Sequence, residues 1–196
     1  MFACFTLVIP ARWARKNKEA HTMARIPLAD PATLSGLEQA VYQRFPANLV
    51  LGLLRATPEI ADGYLDLGGA LSASPLDRGI REMVILRVGT LSGSAYERMQ
   101  HLGIARSVGL SDAEIAAVDS GRFDELAPNE RAILRFVDEL VASPKATVTF
   151  DAALRALGEQ GLATVILLVG HYMLTARLLE TLEIDLDAGP TSWDGI

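Results

Sequence analysis

Apolar positions along the chain recur every three to four residues, the spacing of one face of an α-helix. No run of alternating β-branched residues is closed by a tight turn, so strand signals are scarce. Pro31, Pro46, Pro58, Pro75, Pro128 and Pro144 punctuate the pattern, with Ser, Asp and Asn nearby as caps. The pattern predicts helices over 32–44, 48–56, 58–72, 76–91 and 94–108. A short helix opens at Ser111 with Asp112 and Glu114 in its first turn, and further helices cover 128–143, 150–158 and 162–183. Two of these are apolar nearly all round. In 76–91, Ile80, Val84, Val88 and Leu91 form one stripe, which Met83, Ile85 and Leu86 widen. In the last helix Val165, Val169, Met173 and Ala176 form one stripe, and Leu167, Leu168, Leu174 and Leu178 another. A helix without a polar face is central or lies at an interface, which favours a homo-oligomer.

No linker rich in Gly, Ser or Pro divides the chain, and no solenoid period is present. With 196 residues, 50% of them hydrophobic, one all-α domain with a real core is the economical reading. Its expected extent is 23–187, with an irregular tail over 188–196. Residues 1–22 read as a flexible leader or an upstream start. Met1 to Ile9 are apolar and Arg12, Arg15, Lys16 and Lys18 follow, the reverse of the order in a secretory signal. The run is also too short to span a bilayer. The apolar segment 162–179 is interrupted or flanked by His171, Arg177 and Glu180, which are costly in hydrocarbon. It reads as a buried helix, and no membrane partner is expected.

Charge and cysteine content narrow the function classes. The net charge is -6 without basic clusters, a poor match to nucleic acid. Cys4 is the one cysteine, so no internal disulfide or thiolate metal site can form. This fits a reducing, cytoplasmic compartment.

The segment from Arg81-Glu82 leads to Ser94-Ala95-Tyr96-Glu97-Arg98-Met99-Gln100-His101. Glu97 and His101 are four apart and share a helix face, which continues through Ile104, Ala105 and Val108. Glu82 similarly shares its face with Ile85, Leu86 and Gly89. Ionisable groups on apolar faces are costly unless paired, and several together mark a candidate site. A capping box, Ser94 to Glu97, would account for those two residues alone; it would not account for His101, which could instead be a satisfied core histidine. Glu97 and His101, with Glu82 or His171 as a third ligand, could hold a metal, but no second ligand pair is recognisable and no metal is expected.

These residues resemble the carboxymuconolactone decarboxylase-like, or alkylhydroperoxidase D-like, superfamily. Its peroxidase motif runs Glu, eleven residues, Cys, two residues, Cys, three residues, His. Glu82 and His101 fall at the outer positions, and Ser94 and Glu97 stand at the two cysteine positions. The flanks are also similar: Leu76-Asp77-Arg78-Gly79-Ile80-Arg81 before, His101-Leu102-Gly103-Ile104-Ala105-Arg106 after, then Asn129-Glu130-Arg131-Ala132 and Gly170-His171-Tyr172-Met173. The resemblance covers about residues 26–187 and implies an AhpD-like helical fold and a homo-oligomer. Peroxide reduction in that branch needs two thiols, which Ser94 and Glu97 do not supply. What the resemblance then implies is a cofactor-free lyase or isomerase acting on a small carboxylated or lactone substrate. His101 would be the acid/base, Glu97 its orienting partner, and Glu82 a second acid or water holder. Arg87 could hold a substrate carboxylate or pair with a core acid. Ser94, Tyr96, His171 and Tyr172 are further candidates for substrate contact. A proton-transfer dehydratase, and a non-catalytic helical protein that binds a small molecule or serves in an assembly, are the alternatives.

Overall fold

A computed structural model describes residues 24–191. The expectations for residues 1–22, Cys4 included, and for 192–196 lie outside the described residues. Helices follow one another as α1 (Gly36–Arg44), α2 (Asn48–Leu53), α3 (Pro58–Ser72), α4 (Arg78–Ser92), α5 (Ala95–Ser107), α6 (Asp112–Ser120), α7 (Pro128–Ala142) and α8 (Phe150–Leu182). A 3-10 turn, Phe123–Glu125, separates α6 from α7. The described residues contain no strand.

Local chemistry sets the helix ends. Thr57, Asp77, Ser94 and Ser111 each accept a backbone N–H from the first turn of the following helix, which satisfies a donor that the helix itself cannot. The helix α4 stops at Gly93, where φ is +70°, a left-handed conformation that favours glycine. The turn that follows sends α5 back across α4.

Every residue from Arg81 to Gly89 in α4 is buried. This helix is the axle of the fold, in contact with α5, α6, α7 and α8. Val84, Ile85 and Val88 pack with Phe136 and Val137 of α7 and with Val165, Leu168 and Val169 of α8. The other side of α4 supplies Met83 and Leu86 to a cluster with Ile115, Val118, Phe123 and Leu134. A third cluster joins α1, α2 and α3 to Tyr96 and Leu179. Its apolar residues from five helices fix α3 against the C-terminal half of α8.

Three boundaries differ from the sequence pattern. The first helix begins at Gly36 because 31–33 form a turn in which Thr33 N–H bonds the Asp30 carbonyl. The second ends at Leu53 rather than 56. The predicted gap at 159–161 is helical: Gly158, at φ +66° and ψ 175°, redirects the chain and the helix restarts at once.

The helix α8 is long and apolar enough to cross a membrane by length and composition, yet one side of it forms core with α4 and α7. The first apolar stripe is mostly buried, and the second is split, with Leu168 in the core. Val165, Val169 and Ala176 are buried, whereas Leu167 is 58% and Leu174 52% exposed. Ile60 and Leu67 of α3 are exposed as well.

Candidate functional site

The N-terminal half of α4, the face of α5 and the middle of α8 bring three polar side chains into line. Glu82 and His101 are both buried, and His101 Nδ1 lies 2.9 Å from Glu82 Oε2. His101 Nε2 lies 3.0 Å from the Tyr172 hydroxyl, with the two rings edge to face. Glu82 Oε1 also accepts from Arg81 Nε at 3.3 Å. A carboxylate held by a guanidinium can only accept, so His101 donates from Nδ1. Burial raises the Tyr172 phenol well above its ordinary range, with Tyr64 and Glu82 adding to the effect. It therefore stays protonated and donates to Nε2. The result is a directed chain from Tyr172 through His101 to Glu82.

This chain lines a cavity of about 340 Å³. Leu71, Ile85, Ile104 and Leu168 give it apolar walls, and Arg78, Arg81 and Gln100 add polar groups. Arg81 also donates to the Ser72 carbonyl at 2.5 Å. Arg78 is exposed and makes no side-chain hydrogen bond or ion pair. Pro190 and Thr191 close part of the rim. They are held there because Gln100 Oε1 accepts from Thr191 N–H at 2.7 Å, while Gln100 Nε2 donates to Asp187 at 3.1 Å.

The expected site residues separate into two groups. Glu82, His101 and Tyr172 come together. Glu97 does not bond His101: its two carboxyl oxygens are buried without a hydrogen-bond partner among the described residues. Glu82, on the neighbouring helix, is the imidazole's partner. The capping box is half formed. Ser94 Oγ accepts from Glu97 N–H at 3.5 Å, but the Glu97 carboxyl does not reach back. It packs instead against Gly89, where a Cβ would come within 3.3 Å of Oε2. Burial, and then the nearby charge of Glu180, pushes the Glu97 carboxyl up to about 9.

Arg87 does not line this cavity. Its guanidinium grips Asp138 of α7 through Nε at 2.6 Å and Nη2 at 2.8 Å, donates to the Val118 and Asp119 carbonyls, and lies over the Phe123 ring. Arg81 and Arg78, six and nine residues earlier on α4, face the cavity in its place. Their spacing of three along one helix was the signal available in the sequence. Tyr96 is likewise structural: its hydroxyl donates to Asp187 and accepts from Leu49 N–H. Ser94 caps α5 and lines a different groove, beside Arg98 and Met99. His171 sits behind the cavity, stacked on Tyr64 at 4.4 Å. Burial, and then the charge of His101, lowers its imidazole to about 4. No three His, Cys, Asp or Glu side chains converge as a metal site among the described residues.

Residues 58–139 match the family model described as the carboxymuconolactone decarboxylase family. Over that segment, less than half of the chain, the sequence is similar to the carboxymuconolactone decarboxylase family. The segment holds Glu82, Glu97 and His101 and ends before α8, so Tyr172 joins the site from outside it. The fold is AhpD-like. A structure described as an alkylhydroperoxidase AhpD core, from an uncharacterized peroxidase-related protein of Ralstonia eutropha, superposes with a TM-score of 0.72 at 19% identity, covering 86% of this chain and 95% of that one. An uncharacterized peroxidase-related protein from Silicibacter gives 0.70 at 14% identity, covering 88% and 96%. The debrominase Bmp8, as a variant in complex with 2,3,4-tribromopyrrole, gives 0.64 at 14% identity, covering 86% and 93%. No curated protein sequence matches the chain.

Proposed function

We propose that this protein is a proton-transfer enzyme, a cofactor-free lyase or isomerase of a small carboxylated or lactone substrate. The observation that carries this reading is the Tyr172–His101–Glu82 chain along the wall of a cavity of about 340 Å³. Such a volume suits a small molecule. Arg81 and Arg78 offer a guanidinium pair to a substrate carboxylate. Tyr172 takes a substrate proton on its oxygen while its own passes to His101 Nε2, and Glu82 stabilises the imidazolium that forms. Run in reverse, the same chain protonates an enolate at carbon, the step that must follow loss of carbon dioxide. The bound pyrrole of the debrominase neighbour adds that this fold can enclose a small planar ring.

A thiol peroxidase is disfavoured, since Ser94 and Glu97 stand where the resembling motif has cysteines. The test is a panel of small carboxylates and lactones incubated in deuterated water, read by mass spectrometry. Deuterium wash-in or product formation that His101→Gln abolishes supports the reading. Incorporation that His101→Gln leaves unchanged sinks it.

We infer also that the protein acts as a homo-oligomer. Leu167 and Leu174 on α8 and Ile60 and Leu67 on α3 are exposed on two helices in mutual contact. A second copy of the chain is the occupant favoured by family resemblance.

A further inference from the structure

Behind the His101–Tyr172 pair lies a second, much smaller recess of about 20 Å³. It shares Gln100, His101 and Tyr172 with the large cavity but is otherwise built from different groups. Tyr64 and Thr175 close one side, their hydroxyls bonded to each other at 2.6 Å. Glu97 and His171 also line it. Glu97 is 2% exposed, and neither of its carboxyl oxygens has a hydrogen-bond partner among the described residues. His171 packs by its ring faces, against Tyr64 and Tyr172, and its ring nitrogens bond no side chain or backbone group of the described residues.

An ionised carboxylate in such a place would be very costly. The groups that face it offer no compensating cation. Tyr64 on α3 and Tyr172 on α8 are phenols that burial keeps protonated. Glu180 on α8 adds a like charge. Glu82 and Arg81 on α4 satisfy one another, and His101 on α5 is committed to Glu82 and Tyr172. A buried polar group without a protein partner needs another one. A space of roughly 10–15 Å³ is enough for one water when two to four polar groups surround it, and the recess meets both conditions.

We propose that this recess is a binding site for a single water molecule, held between the Glu97 carboxyl, present as the neutral acid, and the His171 imidazole. Neutral Glu97 donates to the water oxygen, and the water donates to a ring nitrogen of neutral His171. The water sits on the far side of Tyr172 and His101 from the substrate cavity and completes the polar backing of that pair. The site stands on burial and geometry alone; only its bearing on turnover rests on the proton-transfer reading above.

A high-resolution crystal structure of the full chain, with NMR titration of His171, tests the proposal without any substrate. The expected density is one peak within hydrogen-bond distance of both Glu97 and His171. Glu97→Gln keeps the shape and, if Glu97 is already neutral, leaves the His171 titration where it was. Glu97→Leu fills the recess and removes the peak. An empty recess in the wild type overturns the proposal. So does a downward shift of the His171 titration in Glu97→Gln, because that shift reports the loss of an anion. Failure here leaves the deuterium test of activity untouched, and the reverse holds as well.

Discussion

His101 and Glu82 belong to different helices, yet the imidazole Nδ1 and the carboxylate Oε2 meet at 2.9 Å with both side chains buried. The bond fixes the tautomer and turns Nε2 toward Tyr172. Removing either partner should therefore act on chemistry more than on folding. His101→Gln and Glu82→Gln are each expected to lower turnover by about 10²–10⁴-fold, the usual contribution of an acid-base group. Circular dichroism should show an unchanged helical fold. Full activity in both variants would exclude the pair from the mechanism.

Glu97 gives stability an unusual pH dependence. Its folded carboxyl titrates near 9, against an ordinary value near 4.5. Between these values the unfolded chain has released a proton that the folded chain still holds. This part of the stability is complete below pH 4.5 and is lost progressively as the pH rises toward 9. Glu97→Gln removes the effect. Its urea midpoint should match the wild type near pH 4 and exceed it increasingly from pH 6 to 9. Parallel curves for the two proteins would show that Glu97 is not perturbed.

Arg87 should prove structural. Its bidentate bond to Asp138 ties α4 to α7, and the arginine is buried while the Asp138 side chain is 36% exposed. Breaking a fully buried pair costs several kcal/mol, and the partial exposure of Asp138 weakens the coupling. Arg87→Ala should cost about 1–3 kcal/mol in chemical denaturation, with KM unaltered for any substrate found. Arg81→Ala should show the converse, a raised KM. The opposite pattern would restore Arg87 as the substrate anchor.

Self-association should depend on the exposed leucines of α8. Light scattering is expected to report a closed oligomer, and Leu167→Glu with Leu174→Glu should convert it to monomer. An unchanged mass for the double variant would move the interface elsewhere. A monomeric wild type at micromolar concentration would remove it.

Much of the fold was legible because the helices follow the period of the pattern and four of them, α3 to α6, also carry a side-chain cap. Ser94 and Ser111 are clear starts. The 159–161 segment was not, since a glycine that ends a helix and one that only redirects it look alike in sequence. At the site, the i,i+4 spacing of Glu97 and His101 correctly placed both on the buried face of α5. It could not reveal that the imidazole tilts toward α4, where Glu82 is nearer. The choice between Arg81 and Arg87 had the same origin. Both lie on α4, and only the positions of α6 and α7 decide which guanidinium is tied to Asp138 and which faces the cavity. Asp187, Pro190 and Thr191 have no periodicity at all, so their contacts with α5 left no trace in the pattern.

Those last contacts have a consequence for the order in which the molecule is made. Gln100 is bonded to Thr191, 91 residues further along the chain, and Asp187 caps the first N–H of α2 at 2.8 Å. During synthesis the helices that carry Glu82 and His101 leave the ribosome long before the residues that finish the cavity rim. Until then the cavity lacks that part of its rim, and the first turn of α2 lacks its acceptor. The protein can have most of its core assembled while this cavity is still unwalled, and released chains that end a few residues short of Asp187 should fold without completing it.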